Sequence, residues 1–255
     1  MKKSLVLAIG FFLILGIGGV SAESSKKFFL EFRPEISHIS YKESDIKEEG
    51  TMYGVAGLFA YRNKIMLRAE GRVSFGQVDY SNSEEINNID DYMLEFRGLV
   101  GYDFPVLKSS QLTPYIGIGY RYLNDAFDYE RESGYLYSPI GVEFLTPLGN
   151  RWSILLTGEY DLFWYGKQKS YLSDILPGLN DIENRQKNGY GWRGSIIFQK
   201  EYKKVIFEGG PFIRYWNIKK SEEESITYLG YETGYIAWEP KNKSTEIGLL
   251  VGIKF

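Results

Sequence analysis

Cysteine is absent from all 255 residues, histidine occurs once, at His38, and proline only eight times. Without a thiol, the chain forms no disulfide framework, carries no lipid-modified N-terminal cysteine and performs no thiol redox chemistry. No group of His, Asp and Glu has metal-ligand spacing, and no glycine-rich phosphate loop follows a strand and opens a helix, so no cofactor is expected. Lys and Arg number 30 against 33 Asp and Glu. That balance leaves no basic footprint for nucleic acid. Long apolar runs are lacking everywhere except near the N-terminus.

That one run sits in a recognisable frame. Lys2 and Lys3 precede an apolar stretch from Leu5 to Val20, and Val20-Ser21-Ala22 places small residues where a signal peptidase cleaves. Broken by Gly10, Gly16, Gly18 and Gly19, the stretch falls short of the roughly 20 residues of a membrane helix. Residues 1–22 therefore read as a signal peptide cleaved after Ala22. Its loss removes two lysines and no acid, taking the net charge from -3 to -5. The remainder, 23–255, contains no linker or low-complexity tract and reads as one domain.

Aromatic residues are plentiful, at 16% with 21 Tyr, and they fall into an alternating pattern. The last residues make it plainest: Thr245, Ile247, Leu249, Val251, Ile253 and Phe255 form one row, with Glu246, Gly248, Leu250, Gly252 and Lys254 between them. Period 2 means a strand with one oily face and one polar or crowded face. Similar segments recur at 28–41, 52–61, 65–80, 92–103, 115–123, 135–144, 152–165, 190–200 and 205–218. The pattern predicts an all-β fold, a closed antiparallel transmembrane barrel of about ten strands, with eight or twelve as alternatives. A short hairpin around Ile226 to Trp238 would raise the count to twelve if it reached the membrane. Short links at 62–64, 104–111, 146–150 and 201–203 alternate with longer polar ones at 42–50, 81–91, 124–134, 166–189 and 219–244. A periplasmic N-terminus puts the longer links outside the cell.

Aromatics gather at both strand ends. Tyr61, Tyr102, Phe144, Trp152, Phe207 and Phe255 lie near the short turns, and Tyr53, Phe75, Tyr92, Tyr122, Trp164, Trp192 and Tyr215 near the long links. Two such belts suit the two headgroup zones of a bilayer. Pro34, Pro139 and Pro211 fall inside strands, where bulges are expected.

The closing strand, with its terminal Phe255, resembles that of Gram-negative outer-membrane β-barrels, in which the last Phe looks like the signal read by the barrel-insertion machinery. Pro-Tyr-Ile-Gly-Ile-Gly-Tyr at 114–120 is similar to a strand of the OmpA-type and opacity-like small barrels. The resemblance implies location in the cell outer membrane, with its lipids and lipopolysaccharide and the insertion machinery as partners, and a monomer.

Charged residues of inward parity form a near-balanced set: Glu31, Arg33, Glu35, Arg68, Glu70, Arg72, Glu95, Arg97, Arg121, Glu143, Glu159, Asp161, Arg193, Glu208, Arg214 and Glu246, with Lys254. Isolated charges in a narrow barrel cost a great deal of solvation, whereas opposite charges on adjacent strands pair. They read as a luminal charge network plugging the interior. The role expected is non-enzymatic, structural or adhesin-like surface interaction, with an extracellular ligand at the 166–189 and 219–244 loops. One alternative is a narrow channel for ions or small solutes. Another is a lipid A-modifying enzyme: His38 and Ser40 share a face with Glu43 beyond, similar to the His-x-Ser pair of lipid A deacylases, and a base beside a hydroxyl suits ester cleavage. Omptin-type proteases also have ten strands, but need acid pairs and an Asp–His dyad at the rim.

Overall fold

A computed structural model describes residues 27–44, 46–81, 85–107, 109–126 and 129–255. The signal peptide expected at 1–22 lies outside the described residues.

The described chain contains no α-helix. Its strands are β1 (Phe28–Glu43), β2 (Ile46–Asn63), β3 (Ile65–Ser81), β4 (Glu85–Tyr102), β5 (Phe104–Val106), β6 (Ser110–Ala126), β7 (Glu130–Gly149), β8 (Trp152–Ser170), β9 (Ile182–Gln186), β10 (Gly189–Tyr202), β11 (Val205–Ile218), β12 (Glu224–Tyr228), β13 (Tyr231–Ala237) and β14 (Asn242–Lys254). Antiparallel ladders run β1-β2-β3-β4-β6-β7-β8-β10-β11-β14 and return to β1. Ten strands thus close with no free edge. Closure is what lets a sheet cross a bilayer, since every main-chain polar group then finds a partner within the wall.

Alternation sets which side meets what. On the closing strand, Ile247, Leu249 and Val251 are 57%, 58% and 63% exposed, while Glu246 between them is 3% exposed. The same inversion holds on β1, where Leu30 and Phe32 face out and Glu31 and Glu35 face in. Apolar outside and charged inside is the reverse of a water-soluble protein. It is the pattern of a barrel whose outer solvent is hydrocarbon. The chain is an outer-membrane β-barrel. Tyr53, Phe75 and Tyr92 are cross-strand neighbours in one upper row, and Trp192 pairs with Tyr160 and Tyr215 in its continuation. Trp152, Phe207 and Phe255 are exposed at the other end.

Three expectations need correction. First, several strands of the wall extend beyond the segments expected for them, so that the wall strands run from 13 to 20 residues. The 42–50, 81–91 and 124–134 stretches are mostly strand: they carry the ladder past the upper aromatic row as tall hairpins, with Glu43 paired to Ile46 and Ala126 to Glu130. Second, the hairpin of β12 and β13 forms its own two-stranded sheet outside the barrel, so the count stays at ten. Third, no extra residue stands at the internal prolines themselves, and the one register shift near them falls between Leu136 and Tyr137, shortly before Pro139, where β8 carries the extra residue Trp164. Pro34 stays opposite Val55, Pro139 opposite Asp161 and Pro211 opposite Leu249. On the other flank of each, two pairs drop out of the ladder and it resumes in the same register. An antiparallel residue directs its N–H and C=O to the same neighbour, so a missing N–H interrupts one ladder only.

Candidate functional site

Every charged residue expected in the lumen faces it, because each stands at inward parity on a strand of the wall. They meet in three groups. Toward the short turns, Arg33 contacts Glu31 at 2.5 Å and Glu208 at 2.5 Å, and Lys254 reaches Glu31 at 2.9 Å. Nearby, Arg62 and Arg68 both grip Glu143, and Arg68 also contacts Glu70 at 2.7 Å. Arg62 is an addition that alternation alone did not single out.

A second group lies beside β1: Arg72 contacts both Glu35 and Glu246, and Arg214 contacts the same two at 2.9 and 3.2 Å. Ser37 donates to Glu246 at 2.8 Å. The third group crosses the lumen. Arg97 of β4 meets Glu159 of β8 at 2.5 Å, and Arg193 of β10 touches Glu159 at 2.8 Å, Asp161 at 2.9 Å and Glu95 of β4 at 3.1 Å. Tyr115 and Tyr137 donate to Glu159 and Glu95 at 2.6 and 2.7 Å. Arg121 makes no ion pair among the described residues and instead lies over the Trp216 ring, 5.5 Å from its centre. Space for water amounts to about 120 Å³ in the midst of this lattice. Charge-assisted contacts at these distances are the geometry that offsets desolvation in a dry interior.

A fourth cluster stands higher, above the aromatic row, at the mouth. Glu43, Glu48, Asp125 and Glu239 converge there around Arg131, with Asp91 beside Asp125 on the side toward Arg121. Tyr41 donates to Glu43 and, at 3.4 Å, to Glu239, and Arg131 forks onto both oxygens of Glu239 at 3.1 and 3.2 Å. Burial pushes the Glu48 carboxyl up to about 7, with Asp125 adding to the effect and Arg131 opposing it. Asp125 is also raised, again chiefly by burial. Glu239 is raised to about 8, by burial first and by the adjoining Glu43, against the pull of Arg131. Beyond Glu43, sequence reasoning missed this cluster because it placed 42–50, 81–91 and 124–134 in loops. Extending the inward parity of each strand by a few residues would have found Glu48, Asp91, Asp125 and Arg131. Glu239 arrives from a loop and left no periodic signal.

His38 faces outward and is exposed. Ser40 donates to Glu49 at 3.0 Å rather than to His38, and Glu43 points into the mouth. The structure therefore does not assemble a nucleophile–base–acid relay from His38, Ser40 and Glu43. Phe255 is exposed at the barrel rim, its N–H donating to the Leu30 carbonyl at 2.9 Å.

No family model matches the chain, and no curated protein matches it. Among solved structures, the outer membrane protease OmpT from Escherichia coli aligns with a TM-score of 0.59 at 8% identity, over 89% of this chain and 96% of that one. The outer membrane protein OprG from Pseudomonas aeruginosa aligns at 0.36 and 14%, over 90% and 96%, and Neisserial surface protein A at 0.32 and 12%, over 91% and 98%. The first of these likenesses is one of fold.

Proposed function

We propose that the chain is a non-conducting barrel whose working surface is its extracellular hairpins, serving surface interaction. One observation carries the reading: ion pairs join opposite walls of the lumen, with Arg193 of β10 reaching Glu95 of β4, around a cavity of about 120 Å³. A ten-strand wall is narrow enough for side chains to fill it. The hairpins that rise beyond the aromatic row, together with β9, β12 and β13, then hold the surface open to a partner. Planar bilayers test this. The purified barrel should give no stable single-channel steps, and regular openings would overturn the plugged reading in favour of a narrow channel.

A second reading, hydrolysis at the mouth, is favoured by one feature. Asp91 and Asp125 are directly opposed Cα partners on β4 and β6, both face the lumen, and neither has an ion pair among the described residues. Two carboxyls so placed can divide acid and base roles between them. The likeness to OmpT, a protease, agrees with it. Incubating the folded barrel with short peptides, with and without Asp91→Asn, decides the matter: cleavage lost in the variant supports it, and absence of cleavage removes it.

A further inference from the structure

β1 and β7 stand diametrically across the barrel, five strands apart by either route round the wall. One side chain joins them at the mouth. Glu239 accepts both contacts from Arg131 of β7 and one from Tyr41 of β1, and lies in hydrogen-bond contact with Glu43 of β1. It belongs to neither strand. It sits at the foot of the 219–241 segment, between β13 and β14, and its main chain is tied to the start of that segment. Glu239 N–H donates to Ser221 Oγ at 2.8 Å, and Ser221 N–H donates to the Glu239 carbonyl at 2.9 Å. The remainder of the segment is pinned to β9 on one side. Asn184 donates to the Glu222 and Ala237 carbonyls at 3.1 and 3.2 Å, and Glu222 N–H donates to Arg185 O at 2.8 Å.

We propose that 219–241 is a strap drawn across the barrel mouth, hinged on β9 and latched by protonated Glu239, and that it lifts when Glu239 gives up its proton. The chemistry follows from what faces the carboxyl. Tyr41 and Glu43 approach from β1, Tyr129 from just before β7, Arg131 and Tyr135 from β7, and the neutral Gln168 from β8, while Glu48 of β2 and Asp125 of β6 flank the same Glu43 and Arg131. Arg131 is the one cation among them. Protonated, Glu239 donates to Glu43 while its oxygens accept from Arg131 and Tyr41. Ionised, it faces Glu43 with no proton between them, at a site already crowded with acids. Like charges at this range repel, and burial denies them water.

The direction of the pH effect is fixed. The carboxyl is raised to about 8 with the strap closed and returns toward 4.5 when it is free in water. The closed strap therefore binds the proton more tightly than the open one. Its advantage is complete at acid pH and is lost as the pH rises through the closed-state value. The proposal concerns the mouth alone and stands whether or not the lumen below conducts, so its failure is separate from failure of the surface-interaction reading.

Amide hydrogen exchange of the full barrel in micelles tests it. After correction for intrinsic rates, protection of the Ser221 and Glu239 amides should fall about tenfold or more between about pH 5 and about pH 9.5. Amides of the ladder between β1 and β2 should hold steady and report an intact wall. Glu239→Gln keeps the amide neutral in place of the acid, and should leave the strap protected at both pH values. Glu43→Gln removes the like charge and should likewise keep it closed at high pH, with ionised Glu239 held by Arg131. Either of two results overturns the latch: strap protection that does not change with pH in the unaltered chain, or a pH-driven loss that persists in both variants.

Discussion

Arg193 carries more than its own charge. Its guanidinium touches Glu95, Glu159 and Asp161, and Tyr137 closes the same group by donating to Glu95. Replacing it with Met keeps much of the volume but leaves three buried carboxyls with one cation fewer. Removing one partner of a buried pair typically costs 3–5 kcal/mol, so Arg193→Met should lower stability by about 3 kcal/mol or more, read from denaturant unfolding in micelles. Glu48 behaves in the opposite sense. Its carboxyl is pushed up to about 7 by burial and by Asp125. A raised carboxyl supports the fold below its ordinary value of 4.5, and that support is lost as the pH climbs through about 7. Glu48→Gln should therefore stabilise the tall hairpins at about pH 8, by on the order of 1–2 kcal/mol once partial solvent screening is allowed for, and do little at about pH 4. Melting temperatures of the pair at the two pH values give the answer. At this scale parity was a dependable guide where the strand was recognised: Glu95, Arg97 and Arg193 could be placed inside from the alternation alone. Which acid each arginine would choose could not, because partners three or four strands apart are set by barrel closure and not by neighbours in the chain.

Strand by strand, close approach at glycine recurs in the wall, and at Gly119 and Gly141 what approaches is a luminal tyrosine ring. A Cβ on Gly119 would lie 2.4 Å from the Tyr137 ring, and one on Gly141 would lie 2.4 Å from the ring of Tyr115. Those two tyrosines cross the glycines to reach Glu95 and Glu159. Gly119→Ala should therefore push Tyr137 aside, break its contact with Glu95 and cost roughly 1–3 kcal/mol. Gly158 faces outward with nothing within 4 Å, and Gly158→Ala should be close to neutral. The contrast between the two variants in heat-dependent gel mobility checks the assignment. Repeated Gly at 117, 119 and 141 reads in sequence as mere strand parity, and nothing local tells which of them lies under an aromatic ring. Strand ends were misread for a related reason. Acids such as Glu48, Asp90 and Asp91 have low strand propensity and suggest loops, yet pairing with a neighbour extends the ladder through them. The prolines were misjudged too, since a lost N–H interrupts a single ladder and calls for no extra residue.

Taken whole, the molecule divides into a wall fixed by closure and an outer part that only leans on it. The wall was legible from Ile247, Leu249, Val251 and their polar neighbours, because exposure to lipid on one side and charge on the other imposes one period on every strand. The outer part was not, since β12 and β13 form a sheet with no share in the barrel ladder. A lone two-stranded sheet is marginal in water. This one is braced instead by the 177–181 stretch, where Thr227 N–H donates to Asn180 Oδ1 at 2.6 Å and Leu229 N–H to Gly178 O at 2.8 Å. Tyr231 and Tyr235 on it are 79% and 73% exposed, so its removal uncovers little that the wall has buried. Replacing 224–237 with a short Gly/Ser linker, keeping Ser221 and Glu239, should leave the barrel folded and its mobility still shifted by boiling. The melting temperature should fall by a few degrees at most, as expected when the transition reports the closed wall. A variant that no longer closes would show that the outer sheet takes part in forming the barrel, and that the division drawn between wall and appendage is wrong.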